Sequence, residues 1–204
     1  MSHPKHASAD HDVIALIRER WSPRSFDPMH EVARADLLRL FEAARWAPSS
    51  ANEQPWRFVV CARDAESSAR SPYQSLLATL SERNRAWAAS APVLVLVAAK
   101  RLIDQFGVDN PHALYDTGQA MGLLTVQATA MGLSMRQIEG FDKTQARDAV
   151  HVPPDFDLVV VAAIGYAGDP DGLQLEKHRN AERSPRTRRA LTDVVFGGKW
   201  GADY

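Results

Sequence analysis

Seven consecutive residues, Val93-Leu94-Val95-Leu96-Val97-Ala98-Ala99, contain no polar side chain, and Leu158-Val159-Val160-Val161-Ala162-Ala163-Ile164 repeats the pattern. Side chains alternate between the two faces of a strand, so a strand with one wet face alternates apolar and polar residues. A continuous apolar run of this length needs cover on both faces. Pro92 precedes the first run, while Pro153-Pro154 turns the chain into the second, which ends at Gly165. Arg57 to Cys61 reads as a third buried strand. A chain with such strands must supply helices above and below them.

The helical patterns are present. Asp12 can cap a helix to about Arg20, with Val13, Ile14 and Ile17 on its apolar side. From Asp36 to about Trp46, Leu37, Leu38, Leu40, Phe41 and Ala44 form a stripe. Helical stretches are expected near Glu66 to Leu80 and, more briefly, near Asn84, while Lys100 to Pro111 reads as a mixed loop. His112 to Met131 is helical and nearly apolar all round, with Gly118, Ala120, Gly122 and Ala128 among larger residues. Such a helix is buried in the core or at a subunit contact, where its small residues allow close approach. Asp142 and Gln145 have the spacing of a capping box for a further helix. After Gly165 the chain turns polar, with Lys177, Arg179, Arg183, Arg186, Arg188 and Arg189 and the single acid Glu182 among them. No repeat or linker divides the sequence. These signals predict a layered α+β domain over residues 13–204, with a small sheet of apolar strands, helices on both faces and an extended C-terminal arm. A polar tail, residues 1–12, precedes it.

Composition narrows the function. A chain of 204 residues, 45% hydrophobic, suits one domain burying roughly 70% of its unfolded surface. Its net charge of -1 provides no global basic field for nucleic acid or an anionic membrane. No signal-peptide core is visible, and no apolar run approaches the ~18 residues of a membrane span. Cys61 is the only cysteine; it cannot form an internal disulfide and sits in an apolar run as core filler. A reducing, cytoplasmic setting is expected. His3, His6 and His11 lack a cysteine or carboxylate framework, so they read as a solvated tail and no metal site is expected.

Two short runs carry polar groups that a fold alone does not require. Arg20-Trp21-Ser22-Pro23-Arg24-Ser25-Phe26 places two guanidinium groups and a hydroxyl around a turn enforced by Pro23, an arrangement suited to clamping an anion. Ala47-Pro48-Ser49-Ser50-Ala51-Asn52-Glu53-Gln54-Pro55-Trp56 packs hydroxyls, amides and loop N–H groups between two prolines, suited to a polar planar ligand. Together they point to a phosphorylated cofactor. No GxGxxG follows a strand, and there is no GxxxxGK[ST], GxSxG or HExxH. Dinucleotide folds, P-loop chemistry, serine hydrolysis and zinc catalysis are therefore unsupported.

Taken in order, RxSxR after the first helix, APSSxNxQPW after the second, Ile138-Glu139-Gly140-Phe141-Asp142 after the long apolar helix and the ending Pro185-Arg186-Thr187-Arg188-Arg189-Ala190-Leu191 resemble the flavin-dependent nitroreductase family over about residues 13–200. The resemblance implies a nitroreductase-like layered fold with a mostly antiparallel central sheet, and a homodimer holding FMN at its interface. By the same resemblance, Arg20, Ser22 and Arg24 hold the phosphate and ribityl end, with Trp21 contributing backbone. Arg186 and Arg188 fall at the family's C-terminal phosphate ligands. Pro48, Ser49, Ser50 and Asn52 approach the flavin from the partner subunit. Ile138, Glu139 and Gly140 line the ring edge near N5, and Asn84 reaches the pyrimidine edge. One departure stands out: Met135-Arg136-Gln137 is bulky and polar, so the substrate pocket there cannot be inherited.

The expected activity is transfer of a hydride from NADH or NADPH to FMN, then reduction of a nitroaromatic, quinone or similar small-molecule acceptor in a ping-pong cycle. The same fold also carries dehalogenases, a flavin-cleaving enzyme and heterocycle dehydrogenases; the short chain without a long lid insertion argues against a dehalogenase. The rival from another class is a non-enzymatic protein whose basic C-terminal arm contacts an anionic partner. A yellow protein releasing flavin on denaturation separates the two.

Overall fold

In the computed structural model, which describes residues 5–63, 71–104 and 106–204, the two apolar runs become the centre of a four-stranded sheet. The elements in chain order are α1 (Ala15–Glu19), α2 (Arg34–Arg45), β1 (Trp56–Ala62), α3 (Pro72–Ala78), α4 (Glu82–Ala88), β2 (Val93–Lys100), β3 (Leu102–Ile103), β4 (Val108–Asp109), α5 (Ala113–Ala130), β5 (Ser134–Ile138), α6 (Lys143–Ala149), β6 (Phe156–Gly165) and α7 (Glu176–Arg183). The large sheet has the order β1-β2-β6-β5, and its pairings are all antiparallel. β2 and β6, the strands with continuous apolar sequence, are the interior pair.

Alternation along β2 sorts the core into two layers. Leu94, Leu96 and Ala98 pack with Tyr73, Leu76, Leu77 and Leu80 from α3 and its C-terminal end, with Trp87 and Ala88 of α4 and with Ala146 of α6. Val93, Val95 and Val97 face Leu37, Leu40 and Ala44 of α2 and Ala120, Met121, Leu124 and Ala128 of α5. This is the expected sheet with helices on both faces.

Several boundaries differ from expectation. The helix expected to be capped by Asp12 forms only from Ala15, with Ile14 at its N-cap and no side-chain cap bond. Within the stretch expected as helix from Glu66 to Leu80, residues 64–70 lie outside those described; the helix seen begins at Pro72, where the Ser71 hydroxyl accepts from the Gln74 N–H. The mixed loop Lys100 to Pro111 contains the β3–β4 hairpin. The capping box is half made: Asp142 accepts from the Gln145 N–H, but the Gln145 amide bonds the Asp142 carboxylate, while the Asp142 N–H donates to the Thr79 carbonyl. β5 carries Arg136 and Gln137 and has no apolar signature, because an edge strand needs cover on fewer sides. α7 lies within the arm that was expected to be extended, with His178 and Glu182 as its buried positions.

Candidate functional site

The first motif and the basic arm meet. Arg20 ends α1 and its Nη1 donates to the Ser22 hydroxyl at 3.1 Å. Arg186 reaches across from the arm, donating through Nη1 to the Arg20 carbonyl and through Nη2 to the Arg18 carbonyl at 2.5 Å. A cavity of about 470 Å³ opens here, lined by Arg20, Arg186, Arg188 and Arg189 together with Ile17 and Leu191. Burial lowers the proton affinity of Arg20 and Arg186, and neighbouring guanidinium groups lower it further: Arg188 acts on Arg20, and both Arg20 and Arg188 act on Arg186. Among the described residues, the buried Nε of Arg186 has no hydrogen-bond partner. Crowded, partly desolvated cations with an unspent donor are what a phosphate dianion satisfies, so these residues fit the phosphate of a flavin nucleotide. The N-terminal tail contributes too. Ala7 donates its N–H to the Arg18 carbonyl at 2.9 Å, Lys5 bonds the carbonyls of Ala181 and Ser184, and Ala7 to His11 form one wall of the cavity.

Arg24 behaves differently from Arg20. Its N–H donates to both carboxylate oxygens of Glu182 at 3.1 Å, and its guanidinium stands 3.9 Å from the same group. Burial raises the Glu182 carboxyl above its ordinary value, opposed by the N–H groups of Arg24 and Ser25 and by the charges of Arg24 and Arg136. Glu182 was not read as a site residue. Its signal was nonetheless visible, since a lone acid inside a basic run is expected where several cations converge.

The residues expected at the ring edge also lie together. The Gly140 carbonyl accepts from Asn84 Nδ2 at 3.2 Å and from the Ser81 N–H at 3.0 Å, joining the end of β5 to the start of α4. A Cβ on Gly140 would stand 2.8 Å from Asn84 Nδ2, so a larger residue there would displace the Asn84 amide. Ile138 is buried in the core, while the Glu139 side chain is exposed.

The second motif is organised but stands apart. The Ser50 N–H donates to the buried Asp116 of α5 at 2.9 Å, and the Gln54 N–H to the Ser49 hydroxyl at 3.0 Å. Ala51, Asn52 and Gln54 all have positive φ, at 50°, 57° and 49°, a costly concentration for residues with a Cβ. Pro48, Ser50 and Asn52 are exposed, and none of Pro48, Ser49, Ser50 or Asn52 lines the arginine cavity. Asp116, which fixes the loop, was missed because one acid in an apolar helix carries no motif.

Arg136 is the other residue that went unassigned. It leaves β5 on the side of Ile138, donates through Nη1 to the Ser22 carbonyl at 2.5 Å, and stands 5.5 Å from the centroid of the Trp87 ring. Trp87 in turn stacks with Phe26 at 6.4 Å.

The nitroreductase family pattern matches residues 17–166. An uncharacterized 15.4 kDa protein of Mycolicibacterium smegmatis is 33% identical over 150 residues, covering 71% of this chain and 97% of that protein. The major NAD(P)H-flavin oxidoreductase of Aliivibrio fischeri is 40% identical over 55 residues, covering 27% of this chain and 25% of that one. A crystal structure described as an oxidoreductase containing FMN superimposes with a TM-score of 0.88 at 29% identity, covering 100% of both chains.

Proposed function

The chain belongs to the nitroreductase family, and from that premise we propose that it is an FMN-dependent oxidoreductase. It takes a hydride from NADH or NADPH and passes it to a nitroaromatic, quinone or related small-molecule acceptor. The flavin, when bound, supplies the hydride chemistry, and the chain supplies binding, orientation and charge. The observation that carries this reading is the convergence of Arg20, Arg186 and Arg188 on one cavity with a buried guanidinium nitrogen unpartnered among the described residues.

In this reading Arg20, Ser22, Arg186 and Arg188 receive the phosphate and ribityl end, with Trp21 contributing backbone, and Arg24 is kept in place by Glu182. Asn84 spends one amide N–H on Gly140 and keeps its carbonyl oxygen for the pyrimidine edge; Ile138, Glu139 and Gly140 present the ring edge. The Pro48 to Asn52 loop serves the cofactor of a partner subunit, which makes the protein a homodimer. Apolar side chains left open on one chain support that assembly: Trp46 at 72% exposure, Tyr115 at 70% and, in the C-terminal arm, Trp200 at 92%. We place the enzyme in the cytoplasm; among the described residues no helix is long and apolar enough to cross a membrane.

One flavin face serves donor and acceptor in turn, so initial-rate plots at several acceptor concentrations should be parallel. The test begins with the purified protein, which should be yellow and release FMN on denaturation. A colourless protein that takes up no FMN would favour the non-enzymatic rival, and intersecting rate lines would remove the shared-face cycle.

A further inference from the structure

The cavity lined by Arg20, Arg186 and Arg188 has one wall that the arginine motifs do not supply. The stretch from Ala7 to His11 forms it, and the family pattern begins only at residue 17. Because that wall carries an acid, Asp10, as well as His11, what it adds is cover rather than positive charge. Two sets of bonds hold the tail in place. The Ala7 N–H donates to the Arg18 carbonyl at 2.9 Å, the same carbonyl that accepts from Arg186 Nη2. Lys5, only 6% exposed, donates through Nζ to the carbonyls of Ala181 and Ser184, and its ammonium stands 5.5 Å from the centroid of the Trp21 ring. The sequence of the arm explains why it takes a donor from elsewhere. In a continuing helix the Ala181 carbonyl would accept from the N–H four residues on, but residue 185 is proline and has none. α7 ends at Arg183, so Lys5 closes its last turn and fixes the point from which the chain runs to Arg186.

Resting on the flavoenzyme reading above, we infer that Lys5 is a positioning residue for the cofactor phosphate. It ties the N-terminal tail to the C-terminal arm across the Arg20–Trp21 turn, so that Arg186 is held in place and the Ala7–His11 segment closes the phosphate cavity as a strap. With water and salt kept out, the attraction between the arginines and a phosphate is less screened. The strap therefore slows the release of FMN. Riboflavin, which has the ring and the ribityl chain but no phosphate, gains nothing from it.

The experiment compares wild type, Lys5→Met and Lys5→Arg by their affinities for FMN and for riboflavin and by the rate of FMN release. Methionine keeps an unbranched apolar stem against Trp21 and loses the donors; arginine keeps donors for the two carbonyls. Lys5→Met should weaken FMN binding on the order of tenfold, mostly through faster release. Its riboflavin affinity should stay within about twofold of wild type. Lys5→Arg should restore most of the FMN affinity. A general loosening of the fold would weaken both flavins alike, so equal losses for FMN and riboflavin overturn the inference. Unchanged FMN release in Lys5→Met, or an arginine variant no better than methionine, overturns it too. Should Lys5→Met not fold, Ala7→Pro removes the N–H that the tail gives to Arg18 and leaves Lys5 intact; the same FMN-selective loss is expected, and its absence counts equally against the strap. A wild-type protein that binds neither flavin would instead sink the flavoenzyme reading itself, a result visible before any variant is made.

Discussion

The Arg20–Phe26 turn and the Ser49–Gln54 loop are both polar, each follows a helix, and they meet their polar groups in opposite ways. The turn is enclosed by its own chain: Arg186 takes the carbonyls of Arg18 and Arg20, Glu182 takes the Arg24 N–H, and Arg136 takes the Ser22 carbonyl. The loop is held by Asp116 on the Ser50 N–H, by Arg57 on the Gln54 carbonyl and by an internal Ser49 bond, carries three non-glycine residues at positive φ, and leaves Ser50 and Asn52 exposed. A half-site that satisfies itself can bind a ligand within one chain. A loop strained and exposed in this way is what the proposed partner subunit's cofactor would meet. In the proposed homodimer the two belong to one composite pocket.

That contrast can be broken at several points. The largest effect is expected at the enclosed end. Arg20→Ala should weaken FMN binding by roughly ten- to a hundredfold, because a charge-assisted hydrogen bond contributes on the order of 1.5–3 kcal/mol. Fluorescence titration measures it, and unchanged affinity in both Arg20→Ala and Arg186→Ala would dissolve the clamp. Glu182→Ala should cost about 2–4 kcal/mol of folding stability by stranding the Arg24 N–H and its guanidinium; Glu182→Gln, which keeps an acceptor, should cost less. Equal losses in the two variants would mean that charge, not hydrogen bonding, holds the turn.

At the outward loop the effects are smaller. Asp116→Ala leaves the Ser50 N–H without its acceptor and should cost about 1–2 kcal/mol in chemical denaturation. It should weaken dimerisation more than Arg20→Ala does. Sedimentation showing equal dimer affinity in the two variants would erase the distinction between the regions. Ala51→Gly should be neutral or stabilising by about 0.5 kcal/mol, since glycine reaches a φ of 50° without the Cβ penalty. A clear loss of stability would show that the loop is not strained.

The smallest effect concerns pH. Burial, reinforced by the charges of Arg24, Lys177, Arg136 and Arg83, holds His178 below its ordinary value of 6.5. The folded chain therefore binds this proton less readily than the unfolded chain. The stability that neutral His178 allows is complete above pH 6.5 and declines as pH falls from there through the lower folded value. His178→Asn should flatten that part of the stability profile. An identical acid slope in both proteins would assign it to other groups.

Much of this was legible beforehand, and the reason differs element by element. β2 and β6 were readable because total burial demands an unbroken apolar run, which no loop or amphipathic helix imitates at that length. The turns in the RxSxR and PSSxNxQPW segments were readable because turn residues are chosen locally. β5 was not, since an edge strand tolerates Arg136 and Gln137 and so loses its alternation. α7 was not, since with only His178 and Glu182 buried along its length it has no apolar stripe; burial of charge, rather than hydrophobicity, docks it.

The sequence by itself determined the layers: which strands lie inside and which helices cover them, consequences of hydrophobic burial and local backbone chemistry. Only the tertiary structure decided the partnerships. Glu182 could have served any of the arm's arginines, and Arg136 could have pointed to water. Electrostatic pairing and hydrogen bonding depend on distances of a few ångströms between residues more than a hundred positions apart. Those distances exist only once the sheet has brought β5, the Arg20–Arg24 turn and the C-terminal arm to the same place.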